Sequence, residues 1–337
     1  MKPGEWYDFP FNVVTGCRKG CPNCYAEREI KGFSGNVAKN LSTVSYMKDG
    51  DLFILGDPVL TARGGLDRYP FGFLPTLHRY RYDMLDEYKG GKTFYVSSLG
   101  DMFAPWVGEK YIAEIFRECE KRTRHNYVFL TQFPERYGVL DLPDGDNFWY
   151  GATVRNAGEI NRLGCLPEGR HRFINIEPVM EQFEIPLAGI EWVIIGAEIS
   201  RSGNRVVPEP GWITVIVEAC ASRNIPVFMK PSLLPIMGKT GMVRELPESL
   251  RIRKKSIKRL AHEEAFCAVC RNRFEKKTMV TLYAKIGREG RGRSICFMCT
   301  DCYERWCSHT GIDGYIEELK TRRVKRRKDE KEELQEN

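Results

Sequence analysis

Over its first three-quarters the chain alternates short apolar runs with longer polar or helix-forming stretches. Runs at Phe11–Val14, Phe94–Ser98, Tyr127–Thr131, Trp149–Val154, Phe173–Glu177, Trp192–Ala197 and Val227–Lys230 have the length and the β-branched or aromatic content of buried strands. Between them, Glu109–Lys121 carries Ile112, Ile115, Phe116 and Cys119 at i, i+3, i+4 and i+7, the stripe of a helix lying on a sheet. Trp212–Arg223 reads as a second such helix, and Tyr25–Ile30 is rich in helix formers. The alternation predicts an α/β protein, its seven or so parallel strands forming a partial or full β/α (TIM-like) barrel. Residues 41–78 break the rhythm. Phe53-Ile54-Leu55 reads there as a short strand among Gly and Pro turns, in an insertion that would shape a pocket.

In β/α barrels the C-terminal strand ends carry the chemistry. Six successive runs end in polar residues here: Ser97-Ser98-Leu99-Gly100-Asp101, Thr131-Gln132, Thr153-Val154-Arg155-Asn156, Glu177, Glu198 and Lys230. One polar strand end is ordinary capping. Six would line a single mouth with hydrogen-bond donors, carboxylates and a lysine. Glu198, Lys230 and Arg155 are the candidates to face a substrate, with Lys230 equally suited to pair with Glu177 or Glu198.

Composition adds limits. The 337 residues are 42% hydrophobic and 29% charged, ample for a packed core. No run of about 18 apolar residues exists to cross a membrane, and Met1–Trp6 lacks the apolar core of a signal peptide. Twelve cysteines without a secretion signal imply metal ligands in a reducing cytoplasm rather than disulfides. Charge is uneven. From Arg251 onward lie 23 Lys and Arg against 14 Asp and Glu, leaving residues 1–250 at 29 against 31. The basic excess belongs to the last quarter, which suggests a module that meets nucleic acid; a solvated basic surface is the plainer reading.

The cysteines fall into two groups. Cys17, Cys21 and Cys24 stand in Cys-x3-Cys-x2-Cys spacing just after the first run, with Gly16, Gly20 and Pro22 keeping the segment irregular. Such thiolates hold zinc or an iron–sulfur cluster. Structural zinc wants four ligands and the next cysteine is Cys119, so a cluster with one open iron is the working expectation. The second group is Cys267-x2-Cys270 followed by Cys296-x2-Cys299-x2-Cys302, a zinc signature with three cysteines competing for two places. Cys299 and Cys302 are preferred, because Cys302–Trp306 reads as the helix start of a treble-clef fold; Cys307 and His309 are reserves. The organisation expected is a barrel over 1–245, a basic linker over 246–262, a zinc-binding (treble-clef-like) module over 263–315 and a charged helix or tail over 316–337.

The N-terminal spacing and its place after the first strand resemble the radical S-adenosylmethionine (SAM) superfamily. Cys17, Cys21 and Cys24 match its three cluster ligands, and Asn23 stands where its motif has an aromatic residue. The resemblance implies a [4Fe-4S] cluster, SAM, and an electron donor such as ferredoxin or flavodoxin. In that superfamily the SAM ammonium meets polar residues after the second strand. Ser97, Ser98 and Asp101 occupy that place, similar to variants around spore photoproduct lyase. Thr131, Thr153, Asn156 and Glu177 follow as contacts to ribose or carboxylate, with strand capping as the alternative. A closer similarity, over about residues 6–232, is to an uncharacterised three-cysteine-motif family of phages and prokaryotes. It rests on Gly16–Glu27, Ser98–Phe103, Leu130–Arg136, Gly151–Val154, Glu177-Pro178 and Trp192–Glu198. The expected function is a radical SAM enzyme that modifies or repairs nucleic acid. A protein or small-molecule substrate, or a non-catalytic zinc-dependent nucleic-acid binder, are the alternatives.

Overall fold

The apolar runs become one parallel sheet. A computed structural model describes residues 6–61, 64–198, 206–252, 264–267, 273–275, 278–285 and 292–304. Its strands are β1 (Phe9–Phe11), β6 (Thr93–Val96), β7 (Asn126–Thr131), β8 (Phe148–Val154), β9 (His171–Ile176), β10 (Trp192–Ile195) and β11 (Val227–Met229), joined in that order, each parallel to the next. Among the described residues a full barrel does not form. β1 and β11 are the two edges of a curled half-barrel, and an eighth strand would be needed to close it. The outer layer is thinner than expected as well. Helices α3 (Glu109–Glu120) and α4 (Pro210–Ala221) cross over, but 3-10 turns at Pro134–Val139 and Ala157–Cys165 stand where helices would follow β7 and β8.

Period-two side-chain alternation sorts each strand between two cores. Phe94, Val96, Tyr127, Phe129, Tyr150, Ile174, Val193, Ile195 and Val227 face outward into the larger cluster. There they pack with Ile112, Ile115 and Phe116 of α3 and with Ile213 and Ile216 of α4. The intervening residues Val128, Trp149, Phe173, Trp192, Ile194 and Phe228 form a separate inner cluster with Trp6. The concave side is therefore filled with aromatic rings. Burying each such side chain contributes about 1.5–3 kcal/mol, which makes this plug a main source of the unit's stability.

Two sequence expectations change. The run Phe11–Val14 is not one strand. β1 ends at Phe11, and β2 (Val14–Thr15) pairs into a second sheet, because Asn12 turns its side chain to accept from Ser98 Oγ (3.0 Å) and the Leu99 amide (3.1 Å). That second sheet gives the 41–78 insertion a structure. After α1 (Tyr25–Phe33) and α2 (Val37–Thr43), β3 (Met47–Asp49), β4 (Leu52–Leu55) and β5 (Thr76–His78) join β2 in the order β2-β5-β4-β3. The expected linker also begins too early at 246, since Leu246 and Leu250 pack into the inner aromatic cluster.

Contacts divide the chain into two units, Met1–Lys258 and Arg259–Asn337. In the second, β12 (Glu264–Phe266) pairs with β13 (Arg273–Glu275) and β14 (Met279–Lys285) with β15 (Gly292–Cys299), both antiparallel, and residues 300–304 are helical. Most of the 253–263 stretch of the linker, Cys270, Cys307, His309 and the 316–337 tail lie outside the described residues.

His125 gives the first unit a pH dependence. Its Nδ1 accepts from the Lys92 amide (3.2 Å) and its Nε2–H donates to the Leu85 carbonyl (2.9 Å), and burial pushes the imidazole down to about 4. The unfolded chain takes up the proton near 6.5 and the folded chain resists it. Stability is thus complete above about pH 6.5 and lost as pH falls toward 4. Urea titrations across that window should show the wild type losing about 3 kcal/mol more than His125→Gln; parallel pH curves for the two proteins would contradict this.

Candidate functional site

The three N-terminal thiols lie on a nine-residue loop, 16–24, between β2 and α1. Its entry is fixed backbone against backbone. The Gly16 amide donates to the Leu99 carbonyl (2.9 Å), and Gly16 bridges Gly100 beyond β6. Gly16 has φ +80°, and a β-carbon there would lie 2.4 Å from the Leu74 oxygen; one on Gly100 would lie 3.0 Å from Thr15 Cα. The Cys17 amide then donates to the Phe73 carbonyl (3.2 Å), so the insertion holds the loop from its other side.

Further along, the loop reaches across the strand ends. Lys19 Nζ donates to Gln132 Oε1 after β7 (2.6 Å) and lies 5.0 Å from the Phe133 ring centre. Asn23 Nδ2 donates to Glu198 Oε1 after β10 (2.9 Å). Asn23 has φ +56°, a left-handed backbone that asparagine tolerates and an aromatic residue adopts poorly. That explains the polar residue at this position. Arg155, after β8, is held by Glu159 and is close enough to Cys21 for the two charges to interact. The loop is thus tied to the ends of β6, β7 and β10, with Arg155 of β8 beside it.

The polar strand ends fall into three sets. Asp101 accepts from Thr131 Oγ1 (2.8 and 2.9 Å) and from the amides of Gln132 (2.8 Å) and Phe103 (3.0 Å), locking the loops after β6 and β7 together. Ser97 is buried and accepts from the Val14 amide (3.3 Å), while Ser98 donates to Asn12; both hold the β1–β2 turn. Glu177 and Lys230, after β9 and β11, form an ion pair. Of the two partners the sequence offered Lys230, the structure selects Glu177, and Glu198 serves Asn23 instead. Thr153 faces Asn175 of β9 (3.5 Å), and Asn156 sits half-buried after β8. Sequence reasoning missed Asn12, Lys19 and Asn175. Asn175 was detectable, because the alternation in Phe173-Ile174-Asn175-Ile176 puts it on the inner face; the partners of Asn12 and Lys19 lie 86 and 113 residues away.

Burial sets the electrostatics. It raises the Cys17 thiol above its usual range, against the pull of the Lys19 amide, and the charges of Asp101, Cys21 and Cys24 add to the rise. Burial likewise pushes Asp101 up to about 6, opposed by its Gln132, Thr131 and Phe103 donors. The three thiols therefore share one field. Zinc places its thiolates about 3.8 Å apart in a tetrahedron. Among the described residues, the three potential ligands gathered within 4.8 Å of one another are Cys267, Cys299 and Cys302 of the second unit. Cys119 and Cys220 are buried on α3 and α4, and Cys165 is exposed at the end of a 3-10 turn. Cys17, Cys21 and Cys24 are each half-buried on their loop.

A family model described as "Protein of unknown function (DUF5131)" matches residues 3–234, and the chain belongs to that family. No curated protein and no solved structure matches the chain. The family match takes in all seven strands of the large sheet and ends before the second unit.

Gly16→Ala should cost about 2 kcal/mol or more, because it adds a backbone collision to the 1–2 kcal/mol of a left-handed alanine. Gly20, with φ +68° and open space around it, supplies the comparison. Gly20→Ala should cost only about 1 kcal/mol. Urea midpoints at constant slope measure both; equal losses would mean that the Gly16–Leu74 approach is not tight.

Proposed function

We propose that this member of the DUF5131 family is a radical SAM enzyme whose cysteine loop holds a [4Fe-4S] cluster over the open end of the half-barrel. The observation that carries the reading is the placement of Cys17, Cys21 and Cys24 on one loop tied to three strand ends. Cys17, Cys21 and Cys24 would hold the cluster, leaving one iron for SAM. Bound there, the two would supply reductive cleavage of the sulfonium: one electron from a ferredoxin or flavodoxin would break the C5′–S bond, with methionine leaving and the 5′-deoxyadenosyl radical left to take hydrogen from a substrate.

This chain's own residues bind, orient and exclude water. The inner aromatic cluster blocks solvent from the lower end of the lumen. Asp101 and Thr131 hold the strand ends that Lys19 grips, so they position the cysteine loop rather than contact a ligand freely. Ser98, Thr153, Asn156 and Asn175 offer neutral hydrogen-bonding groups to ribose or carboxylate, and Arg155 offers a cation near Cys21. Glu177 and Lys230 neutralise each other across the β9 and β11 ends. In this arrangement a substrate meets a matched pair, with Glu198 beside Asn23 as the nearer carboxylate. Nucleic acid is the substrate class that the basic excess after residue 250 favours.

Protein purified without oxygen should absorb near 400 nm and contain about four iron and four sulfide per chain. Reduction with SAM present should yield 5′-deoxyadenosine and methionine. Changing Cys17, Cys21 and Cys24 together to Ser should abolish both signals. Binding to RNA or DNA should weaken steeply with salt. Iron-free, sulfide-free protein that still binds nucleic acid would replace this reading with a non-catalytic one.

A further inference from the structure

The second unit contains a site of its own. The geometry points to a structural zinc ion held by the thiolates of Cys267, Cys299 and Cys302, on which the fold of that unit depends. The inference is independent of the cysteine loop in the first unit and goes beyond the reaction proposed for it.

Three separate elements deliver the ligands. Cys267 follows β12 directly, Cys299 is the last residue of β15, and Cys302 lies in the helical residues 300–304. Their sulfur atoms all lie within 4.8 Å of one another although 32 residues separate Cys267 from Cys299 in the sequence. Cys267 and Cys299 are buried and Cys302 is half-buried. That spacing approaches the roughly 3.8 Å between thiolates on one tetrahedral zinc. Cys270 completes Cys-x2-Cys spacing with Cys267 and is the sequence's candidate for the fourth position, although it lies outside the described residues. Thiolates delivered by three separate elements tie those elements together, which assigns the ion a structural role.

Packing explains the dependence. The buried core of the unit is Cys267, Met279, Met298, Cys299 and Tyr303. Two of these five are ligands, and among the described residues the other three, with Phe274, Val280 and Phe297 packed half-buried against them, complete the cluster. A core this small needs a staple. Zinc takes cysteine as the thiolate, one proton being released to solvent per ligand formed, and so couples binding to folding.

The test uses the full chain, purified without added metal. Mass-spectrometric metal analysis should find about one zinc per chain. That zinc should survive when Cys17, Cys21 and Cys24 are all changed to Ser, and should be lost in Cys267→Ser and in Cys299→Ser. Because those two variants could misfold for other reasons, cobalt(II) is also exchanged into the wild type, where sulfur-to-cobalt charge transfer and tetrahedral d–d bands are expected. Zinc retained by both single variants would overturn the assignment. So would cobalt without thiolate bands, or iron disappearing with Cys267 in place of zinc. Iron lost only with the N-terminal triple change concerns the other site, which keeps the two claims separable.

Discussion

The site depends on two glycines passing with no room for a side chain on either. Gly16 and Gly100 meet backbone to backbone, Leu74 closes the gap from the insertion, and the cysteine loop begins at that junction. Without the approach, the loop after β2 would have no fixed origin relative to the strand ends. With it, the short tethers from Lys19 and Asn23 suffice to hold three thiols in a common field. Side-chain bonds of this kind contribute about 1 kcal/mol each, so they refine a position that the backbone has already set.

The interior of the half-barrel is layered. Below, indole and phenyl rings from every second strand residue make a dry plug. Above, the same inward-facing positions turn polar at Thr153, Asn175, Glu177 and Lys230. The transition comes within two residues along β9, from Phe173 to Asn175, which is as abrupt as strand alternation allows, and across Gly151 along β8. A reactive intermediate formed at the upper layer would have apolar walls beneath it and fixed dipoles around it. The second unit is built on another principle, with little apolar burial and a cluster of thiols at its centre.

Much of this was legible in the sequence, and the limits have physical causes. The strands after β1 were readable to within a residue or two because they are buried on both faces and therefore continuous in apolar character, as in Trp149–Val154. Helix α3 declared itself by its stripe. The 41–78 insertion showed only β4, read at Phe53-Ile54-Leu55; β3 and β5 are three residues long, and β5 is held between β4 and β2, a segment two residues long. Polar strand ends were recognised as a group, yet not their pairings. Whether Lys230 meets Glu177 or Glu198 is decided by which strands are neighbours, and local sequence carries no trace of that. Ser97 shows the same limit. A serine at a strand end reads as a ligand contact, while its buried hydroxyl is spent on the Val14 amide.

The match to the DUF5131 family runs through β11 and ends at residue 234, so it takes in the half-barrel strands and the cysteine loop. The central claim is that three protein thiols leave one iron without a protein ligand. Electron paramagnetic resonance of the anaerobic, dithionite-reduced protein addresses that iron directly. The account predicts a reduced-cluster signal whose g-values shift when SAM is added and stay put with S-adenosylhomocysteine, which lacks the sulfonium. A cluster signal indifferent to SAM, or no cluster signal at all, would contradict it.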